Sequence, residues 1–163
     1  MSRGIVVRPA RDVEAEDIAR LNNEFAAEGR MLYRTPEMVS LAIDDYVVAV
    51  DERGTVLGCG ALKEYSPSVA EVAAIAVARA AQGNGLGKSI VGAVEALALK
   101  RSIHDVFALT LEPEFFAAAG YQRVDRARYP EKIRRDCLSC PRRFACNEIC
   151  VAKNLRLEAL AAA

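Results

Sequence analysis

Hydrophobic residues along this chain recur at two spacings, which together predict both strands and helices. Short apolar runs rich in β-branched residues predict six strands, at residues 4–8, 46–51, 55–63, 69–78, 105–111 and 121–127. Gly54 lies between the second and third of these runs and indicates a hairpin turn. The fourth run is almost continuously apolar from Val72 to Ala78, which is typical of a strand covered on both faces.

Apolar residues three and four positions apart predict the helices. Asp12 is a suitable N-cap for the first helix. The predicted buried face of this helix carries Val13, Ile18, Leu21 and Phe25. Thr35 and Pro36 start a second, short helix, as a cap followed by a proline in the first turn. Further helices are predicted at residues 86–101, 113–119 and 155–162.

The order of these elements, β-α-α-β-β-β-α-β-α-β followed by a tail, predicts a mixed α/β domain. A length of 163 residues, 52% of them hydrophobic, is enough for one domain with a sizeable core. We therefore predict a single domain over residues 1–129 and a cysteine-containing C-terminal extension over residues 130–163.

The charge balance restricts the partners that we expect. The 22 Lys and Arg residues equal the 22 Asp and Glu residues, so no basic excess favours nucleic acid. The apolar run Ile5–Val7 is too short for a signal peptide or a membrane span. We expect a soluble, cytoplasmic protein without a membrane partner. The oligomeric state stays open, a homo-oligomer included.

A glycine-rich stretch from Gln82 to Ser89 lies between a predicted strand and a predicted helix. It ends as a Walker A loop does, but that motif needs a glycine at position 82, where this chain has glutamine. Glycines that lead into a helix N-terminus still favour an anion, because free N–H groups and the helix dipole point toward it. A loop that only connects a strand to a helix is the alternative.

In this context the loop resembles the Q/R-x-x-G-x-G/A motif of the GNAT acetyltransferase family, and the element order over residues 4–129 is similar as well. The resemblance implies the GNAT fold, a mixed central sheet flanked by helices, with acetyl-CoA as co-substrate. The pyrophosphate-binding loop of the family then corresponds to Gln82, Gly83, Asn84, Gly85, Leu86, Gly87 and Lys88. Backbone groups of Ile75, Ala76 and Val77 would hydrogen-bond the pantetheine arm and the acetyl carbonyl.

A second resemblance begins at residue 106. The runs Val106–Phe116, Gly120-Tyr121, Pro130-Glu131-Lys132 and Asp136–Pro141 look like the acetyltransferase domain of N-acetylglutamate synthases. This resemblance implies acetyl transfer from acetyl-CoA to the α-amine of L-glutamate, the first step of arginine biosynthesis. The chain is too short for the amino-acid-kinase-like domain of many such synthases, so a feedback site that depends on that domain is not predicted.

The same resemblance assigns roles to single residues. Glu71 corresponds to a catalytic glutamate that would accept the ammonium proton through a water, and a solvated residue at the strand start is the alternative. Thr110 corresponds to a hydroxyl beside the reacting amine, or is a simple strand residue. Arg34 occupies the place used to hold a glutamate carboxylate, or is a surface arginine. Phe116 stands where many GNAT enzymes have a tyrosine that protonates the CoA thiolate.

Four of the five cysteines lie close together near the C-terminus, spaced C-x2-C, then five residues, C, three residues and C. Four thiolates can close a tetrahedral structural zinc site. Disulfides are less expected without a secretion signal, and free thiols remain an alternative. We predict a structural zinc ion bound by Cys137, Cys140, Cys146 and Cys150.

Two other functions stay open. The first is a GNAT enzyme for another amine, such as a protein N-terminus, a lysine or a polyamine, which would need an acidic pocket for a cationic acceptor. The second is a non-catalytic CoA-binding or zinc-dependent interaction module, which the missing tyrosine and the cysteine-rich tail favour.

Overall fold

The computed structural model describes residues 4–162. Its strands are β1 (Val6–Pro9), β2 (Tyr46–Val50), β3 (Val56–Ser66), β4 (Val69–Val77), β5 (Asp105–Thr110), β6 (Gln122–Arg123) and β7 (Ile149–Asn154). Its helices are α1 (Ala15–Ala26), α2 (Pro36–Leu41), α3 (Leu86–Lys100), α4 (Pro113–Ala118), α5 (Pro130–Lys132) and α6 (Leu155–Ala162). Residues 1–3 and 163, which belong to the predicted domain and extension, lie outside the described residues. Within residues 4–162, no helix is long and apolar enough to cross a membrane.

The seven strands form one mixed sheet in the order β1-β2-β3-β4-β5-β7-β6. β2 is antiparallel to both β1 and β3. β4 and β5 run parallel, with Glu71 opposite Phe107. β7 is antiparallel to both β5 and β6. The predicted mixed α/β fold is confirmed.

The chain divides into two compact units, and the first consists of the chain up to Lys63 together with Val72–Leu97. Its core contains one face of α1 and the whole of β2, whose five residues are all buried. Gly58 and Gly60 of β3 allow the close approach of α3. A Cβ on these glycines would lie 2.5 Å and 2.8 Å from the Ile90 side chain, so a larger residue at either position would displace it.

The second unit consists of Glu64–Glu71 and the chain from Ala98 onward. Its core is built around Phe107 of β5, whose ring stacks on Tyr129 at a centroid distance of 4.0 Å and lies 5.7 Å from the ring of Tyr65. Cys150 and Ala152 of β7 pack against the same aromatic rings. The segment after residue 129 therefore supplies part of this core.

The sequence pattern does not predict β7. Its apolar stretch, Ile149–Ala152, is only four residues long and follows a polar segment that contains cysteines, so the strand signal is weak. All six residues of β7 are nevertheless in register with β5. The division at residue 129 stays a prediction, and the sheet continues past that residue through β7.

Two predicted elements have different limits in the structure. α1 begins at Ala15 after a 3-10 turn, and Val13 is 84% exposed instead of lying on the buried face. Glu14 holds this turn, because its carboxylate accepts a hydrogen bond from the Arg11 N–H at 2.8 Å. β6 ends early because the Asp125 side chain accepts a hydrogen bond from the N–H of residue 127 at 2.9 Å and starts another turn.

Candidate active site

The glycine loop leads directly into α3 and leaves open space beside its backbone. Gly83 and Gly85 have φ angles of 84° and 76°, a left-handed conformation that other residues rarely adopt. A Cβ on either glycine would meet no atom within 4 Å. The buried side chain of Leu86 anchors the start of α3 in the core, which fixes the position of the loop.

The first N–H groups of α3 are available to a ligand. The Ser89 N–H donates to the Gly85 carbonyl at 3.1 Å, so the N–H groups of residues 86–88 belong to the first turn, outside the helical ladder. Gln82 Nε2 donates to the Val77 carbonyl at 3.0 Å and links the end of β4 to the loop. These groups fit a phosphate, because the helix dipole adds to the attraction of the N–H groups.

β4 departs from regular strand geometry at Ala74, whose φ is 54°. This conformation costs a non-glycine residue about 1–3 kcal/mol. The buried thiol of Cys59 on β3 donates to the Ala74 carbonyl at 3.5 Å, and burial raises the pKa of this thiol to about 12, so it stays protonated. An irregular residue interrupts the backbone ladder and frees groups beside it. The roles predicted for Ile75, Ala76 and Val77 require free groups of this kind.

Arg34 lies in the connection between α1 and α2, and α1 holds this connection in place. Asn23 Nδ2 donates to the Arg34 carbonyl at 2.7 Å, and the Arg34 N–H donates to Asn23 Oδ1 at 3.0 Å. Arg34 is half-buried, and its positive charge acts on the hydroxyl of Tyr46. Burial raises the pKa of Tyr46, and the positive charge of Arg34 opposes that rise. The backbone of Arg34 is therefore held in place by α1.

Glu71 lies on β4 in the second unit and is only 6% exposed, so the alternative of a solvated residue is wrong. The Tyr65 hydroxyl donates to Glu71 Oε2 at 2.9 Å. Lys132 Nζ lies 2.9 Å from the same oxygen. These contacts offset the cost of burying a carboxylate. Both of them reach Oε2, and Oε1 takes part in neither.

Asp136 completes a group of four side chains, Tyr65, Glu71, Lys132 and Asp136, which we name the Glu71 cluster. The Asp136 carboxylate contacts the Tyr65 hydroxyl and lies 3.1 Å from Lys132 Nζ. Burial acts to lower the pKa of Lys132, but Glu71 and Asp136 outweigh burial and raise it, so the lysine stays charged. Burial, followed by the two carboxylates, raises the pKa of Tyr65 and keeps its hydroxyl protonated.

Thr110 and Phe116 lie in the second unit as well. Thr110 ends β5, and its buried hydroxyl oxygen accepts a hydrogen bond from the Glu112 N–H at 2.8 Å. The hydroxyl proton can still be donated to a substrate. Phe116 is buried and packs edge to face on Tyr121 at a centroid distance of 5.1 Å. Phe116 is therefore a core residue of the second unit.

The cysteines near the C-terminus do not converge as metal ligands. In the described part of the chain, no group of three or more His, Cys, Asp or Glu side chains could hold a metal ion. Burial raises the pKa of the Cys150 thiol to about 11. The Cys146 sulfur accepts a hydrogen bond from Arg126 Nη2 at 3.4 Å. The structure gives no support to the zinc ion predicted at Cys137, Cys140, Cys146 and Cys150.

Three members of the Glu71 cluster are not predicted from the sequence. Lys132 and Asp136 are four residues apart, a spacing that places both on one face of a helical turn. Tyr65 and Glu71 flank the turn between β3 and β4. The four-residue spacing and the turn can both be read from the sequence, but neither indicates that Lys132 contacts Glu71.

Most of the chain matches one known protein family. Residues 15–125 match the acetyltransferase (GNAT) family. The chain belongs to the GNAT family. The predicted resemblance to this family is confirmed, and acetyl-CoA-dependent acetyl transfer is the activity of its members. The open glycine loop at the start of α3 fits the CoA pyrophosphate that the resemblance implies.

Relatives of this GNAT protein include amino-acid acetyltransferases. The chain is 39% identical over 149 residues to an uncharacterized N-acetyltransferase of Chlorobaculum tepidum, with 91% of this chain and 96% of that protein covered. It is 35% identical over 124 residues to the amino-acid acetyltransferase of Mycobacterium tuberculosis, with 74% of this chain and 70% of that protein covered.

Two solved structures are similar to this GNAT protein over nearly its whole length. The N-acetylglutamate synthase of Neisseria gonorrhoeae, complexed with coenzyme A and N-acetyl-glutamate, superposes with a TM-score of 0.83 at 25% identity. The match covers 95% of this chain but 36% of the synthase, so the chain spans about a third of that protein. A Mycobacterium tuberculosis protein in complex with CoA superposes with a TM-score of 0.81 at 28% identity, covering 92% of this chain and 99% of that one.

Proposed function

We propose that this GNAT protein transfers the acetyl group of acetyl-CoA to the α-amine of L-glutamate, in the setting of arginine biosynthesis. The observation that carries the proposal is the buried carboxylate of Glu71, which a cation and a hydroxyl hold at one oxygen. Amine acetylation needs a group that removes a proton from the acceptor's ammonium, and a fixed carboxylate suits this task. The name of the gonococcal N-acetylglutamate synthase supports glutamate as the acceptor, and the name of the mycobacterial amino-acid acetyltransferase supports an amino acid.

The donor site is assigned to the first unit. The N–H groups of Gly83 to Lys88 would bind the CoA pyrophosphate at the start of α3, with Lys88 as a further positive charge nearby. The backbone of Ile75, Ala76 and Val77 would hydrogen-bond the pantetheine arm and the acetyl carbonyl. The irregular backbone at Ala74 supports this assignment, because a residue in this conformation disrupts the regular geometry of its strand next to those residues.

Arg34 is assigned to a carboxylate of the acceptor. A guanidinium offers two parallel donors to a carboxylate, which adds geometric selectivity to the charge. The two hydrogen bonds between the Asn23 side chain and the Arg34 backbone support this role, because they reduce the backbone freedom lost on binding.

Glu71 is assigned as the base that takes a proton from the acceptor's ammonium, directly or through one water. Thr110 would donate a hydrogen bond beside the reacting amine. Acetyl-CoA supplies the activated acyl group and leaves as a thiolate that must gain one proton. Phe116 has no proton to donate, so the thiolate gains its proton from water or from the acceptor's amine.

The proposal is tested by comparing Glu71→Gln with Glu64→Gln, a matched change at an exposed glutamate that pairs with Arg101 at 3.1 Å. With saturating glutamate, we expect Glu71→Gln to lower kcat by roughly 10²- to 10⁴-fold, because it removes the proton acceptor. The KM for acetyl-CoA should change little, and Glu64→Gln should behave as the wild type. Wild-type turnover by Glu71→Gln would reject the role of Glu71. Tight acetyl-CoA binding without turnover of any amino acid would favour a non-catalytic CoA-binding module.

A further inference from the structure

We propose that Lys132 is a positioning residue for Glu71: its ammonium holds Oε2 in place, so that Oε1 is the oxygen presented to the acceptor's ammonium. This inference rests on the proposed function, in which Glu71 is the base. The family match ends at residue 125, so Lys132 belongs to a part of this chain to which the match assigns nothing.

The geometry fixes the lysine from several directions. Lys132 is the last residue of α5, and the chain continues into a π-helix at Ile133–Cys137 that carries Asp136. Lys132 Nζ lies 2.9 Å from Glu71 Oε2 and 3.1 Å from Asp136 Oδ2. It also lies 5.7 Å from the centroid of the Tyr65 ring, and its side chain is only 14% exposed. A lysine held in this way has little freedom to leave Glu71.

Lys132 supplies hydrogen-bond donors that Tyr65 cannot supply to both carboxylates. Tyr65 contacts both carboxylates of the Glu71 cluster but has one hydroxyl proton, so it can donate to only one carboxylate at a time. Lys132 has three N–H donors and reaches both carboxylates. Without the lysine, the buried Glu71 and the half-buried Asp136 would share one hydroxyl proton, so one of the two carboxylates would lose its donor. A Glu71 carboxylate without a donor at Oε2 is no longer held in one orientation.

The other titratable groups around Glu71 do not replace this positive charge. Electrostatic interactions couple Glu71 to Glu148, Cys137 and Cys150 as well as to Tyr65. Each of these groups is either neutral or negative. A second cation, the Arg135 guanidinium, lies 4.9 Å from the centroid of the Tyr65 ring and donates to the Glu64 carbonyl at 3.3 Å, so it is held at the ring face and at Glu64. Within the Glu71 cluster, the positive charge comes from Lys132.

The test is steady-state kinetics of the full-length protein with saturating glutamate. In Lys132→Met, we expect kcat to fall by roughly tenfold or more, because the Glu71 carboxylate loses a charge-assisted contact that orients it, while the KM for acetyl-CoA changes little. Lys132→Arg, which keeps the charge, should restore most of the wild-type kcat. Lys100→Met, at an exposed lysine of α3, is the matched control.

A wild-type kcat in folded Lys132→Met overturns the inference. If Lys132→Met does not fold, the reciprocal measurement in Glu71→Gln decides: the Lys132 ammonium should lose its proton at a lower pH than in the wild type, and an unchanged lysine titration overturns the inference. The lysine titration does not depend on turnover. A wild-type kcat in Lys132→Met, or an unshifted lysine titration, rejects the role of Lys132 alone, whereas a wild type that acetylates no amino acid rejects the proposed function.

Discussion

The thiol of Cys59 donates a hydrogen bond to the carbonyl oxygen of Ala74, 3.5 Å away, at the residue where β4 leaves regular strand geometry. In the sequence, Cys59 is indistinguishable from any small core residue. The hydrogen bond connects this residue to the strand that we assign to the pantetheine arm. We therefore expect Cys59 to affect acetyl-CoA binding as well as stability.

Replacing Cys59 by alanine should lower the free energy of unfolding by about 1–3 kcal/mol, through the lost hydrogen bond and the small cavity. The KM for acetyl-CoA should rise as well, because the backbone at Ala74 loses a partner. Cys59→Ser keeps a donor and should retain more of the wild-type KM. Cys140→Ala, at a half-buried residue, is the control. A wild-type KM in Cys59→Ala would show that the contact does not support the donor site.

Burial also predicts an order of thiol reactivity. Burial raises the pKa of Cys59 to about 12 and that of Cys150 to about 11, so neither thiol is appreciably ionised at pH 8. The half-buried Cys140 and Cys146 should be alkylated in the native protein, whereas Cys59 and Cys150 should react only after denaturation. Peptide mass spectrometry after timed alkylation measures this order. Rapid modification of Cys59 in the folded protein would contradict its position in the core.

The glycine loop can be tested with a pair of matched variants. Gly85→Asp places a negative charge where the pyrophosphate is proposed to bind, and should raise the Kd for acetyl-CoA by roughly 100-fold or more. Gly54→Asp imposes a similar backbone cost in the β2–β3 turn, since both glycines have positive φ and open space beside them. Calorimetry should therefore give Gly54→Asp a normal Kd. Equal Kd values for the two variants would remove the CoA assignment of the loop.

Arg34→Ala should raise the KM for glutamate while leaving the KM for acetyl-CoA nearly unchanged. A lost charge-assisted contact of about 1.5–3 kcal/mol corresponds to roughly ten- to a hundredfold in kcat/KM. Arg34→Lys should recover only part of this, because a point charge cannot reproduce the paired donors. Arg20→Ala, at an exposed arginine of α1, serves as the control in the same steady-state assay. A normal KM for glutamate in Arg34→Ala would remove Arg34 from the acceptor site.

The Arg8–Glu14 pair predicts a pH dependence of stability. The hydrogen bond from Arg8 lowers the pKa of Glu14 in spite of burial. A lowered folded-state pKa stabilises the protein above the pKa of the unfolded chain, and this stabilisation is lost as the pH falls through the folded value. Glu14→Gln should therefore lower the free energy of unfolding by about 1.5–3 kcal/mol at pH 7. The difference in the free energy of unfolding between Glu14→Gln and the wild type should become smaller as the pH falls. Glu24→Gln, at an exposed residue of α1, should unfold with the wild-type free energy at each pH.

The features that the sequence predicts correctly are local ones. Gly83, Gly85 and the apolar period of α3 lie within one short stretch, so the loop and its helix can be recognised without knowledge of the fold. The N-cap Thr35 is local in the same sense, and its hydroxyl accepts a hydrogen bond from the Met38 N–H at 3.1 Å, as a cap should.

The features that the sequence does not predict depend on distant partners. β7 has a short apolar run, and β5 and β6 on either side of it give it a place in the sheet. Lys132 and Glu71 are far apart in the chain, and no spacing rule connects them. The regular spacing of Cys137 and Cys140 is local, yet it suggests a zinc site that the described residues do not support.

The most direct test of the central claim is a competition assay for the acceptor. The full chain is given acetyl-CoA and an equimolar mixture of glutamate, aspartate, glutamine and lysine, and the acetylated products are quantified by mass spectrometry at low conversion. The account predicts that N-acetylglutamate, acetylated at the α-amine, exceeds each other product by about tenfold or more, since one charge-assisted contact is worth at least that factor. If lysine or glutamine is acetylated as fast as glutamate, the claim is contradicted, and the protein is a GNAT enzyme that acts on another amine.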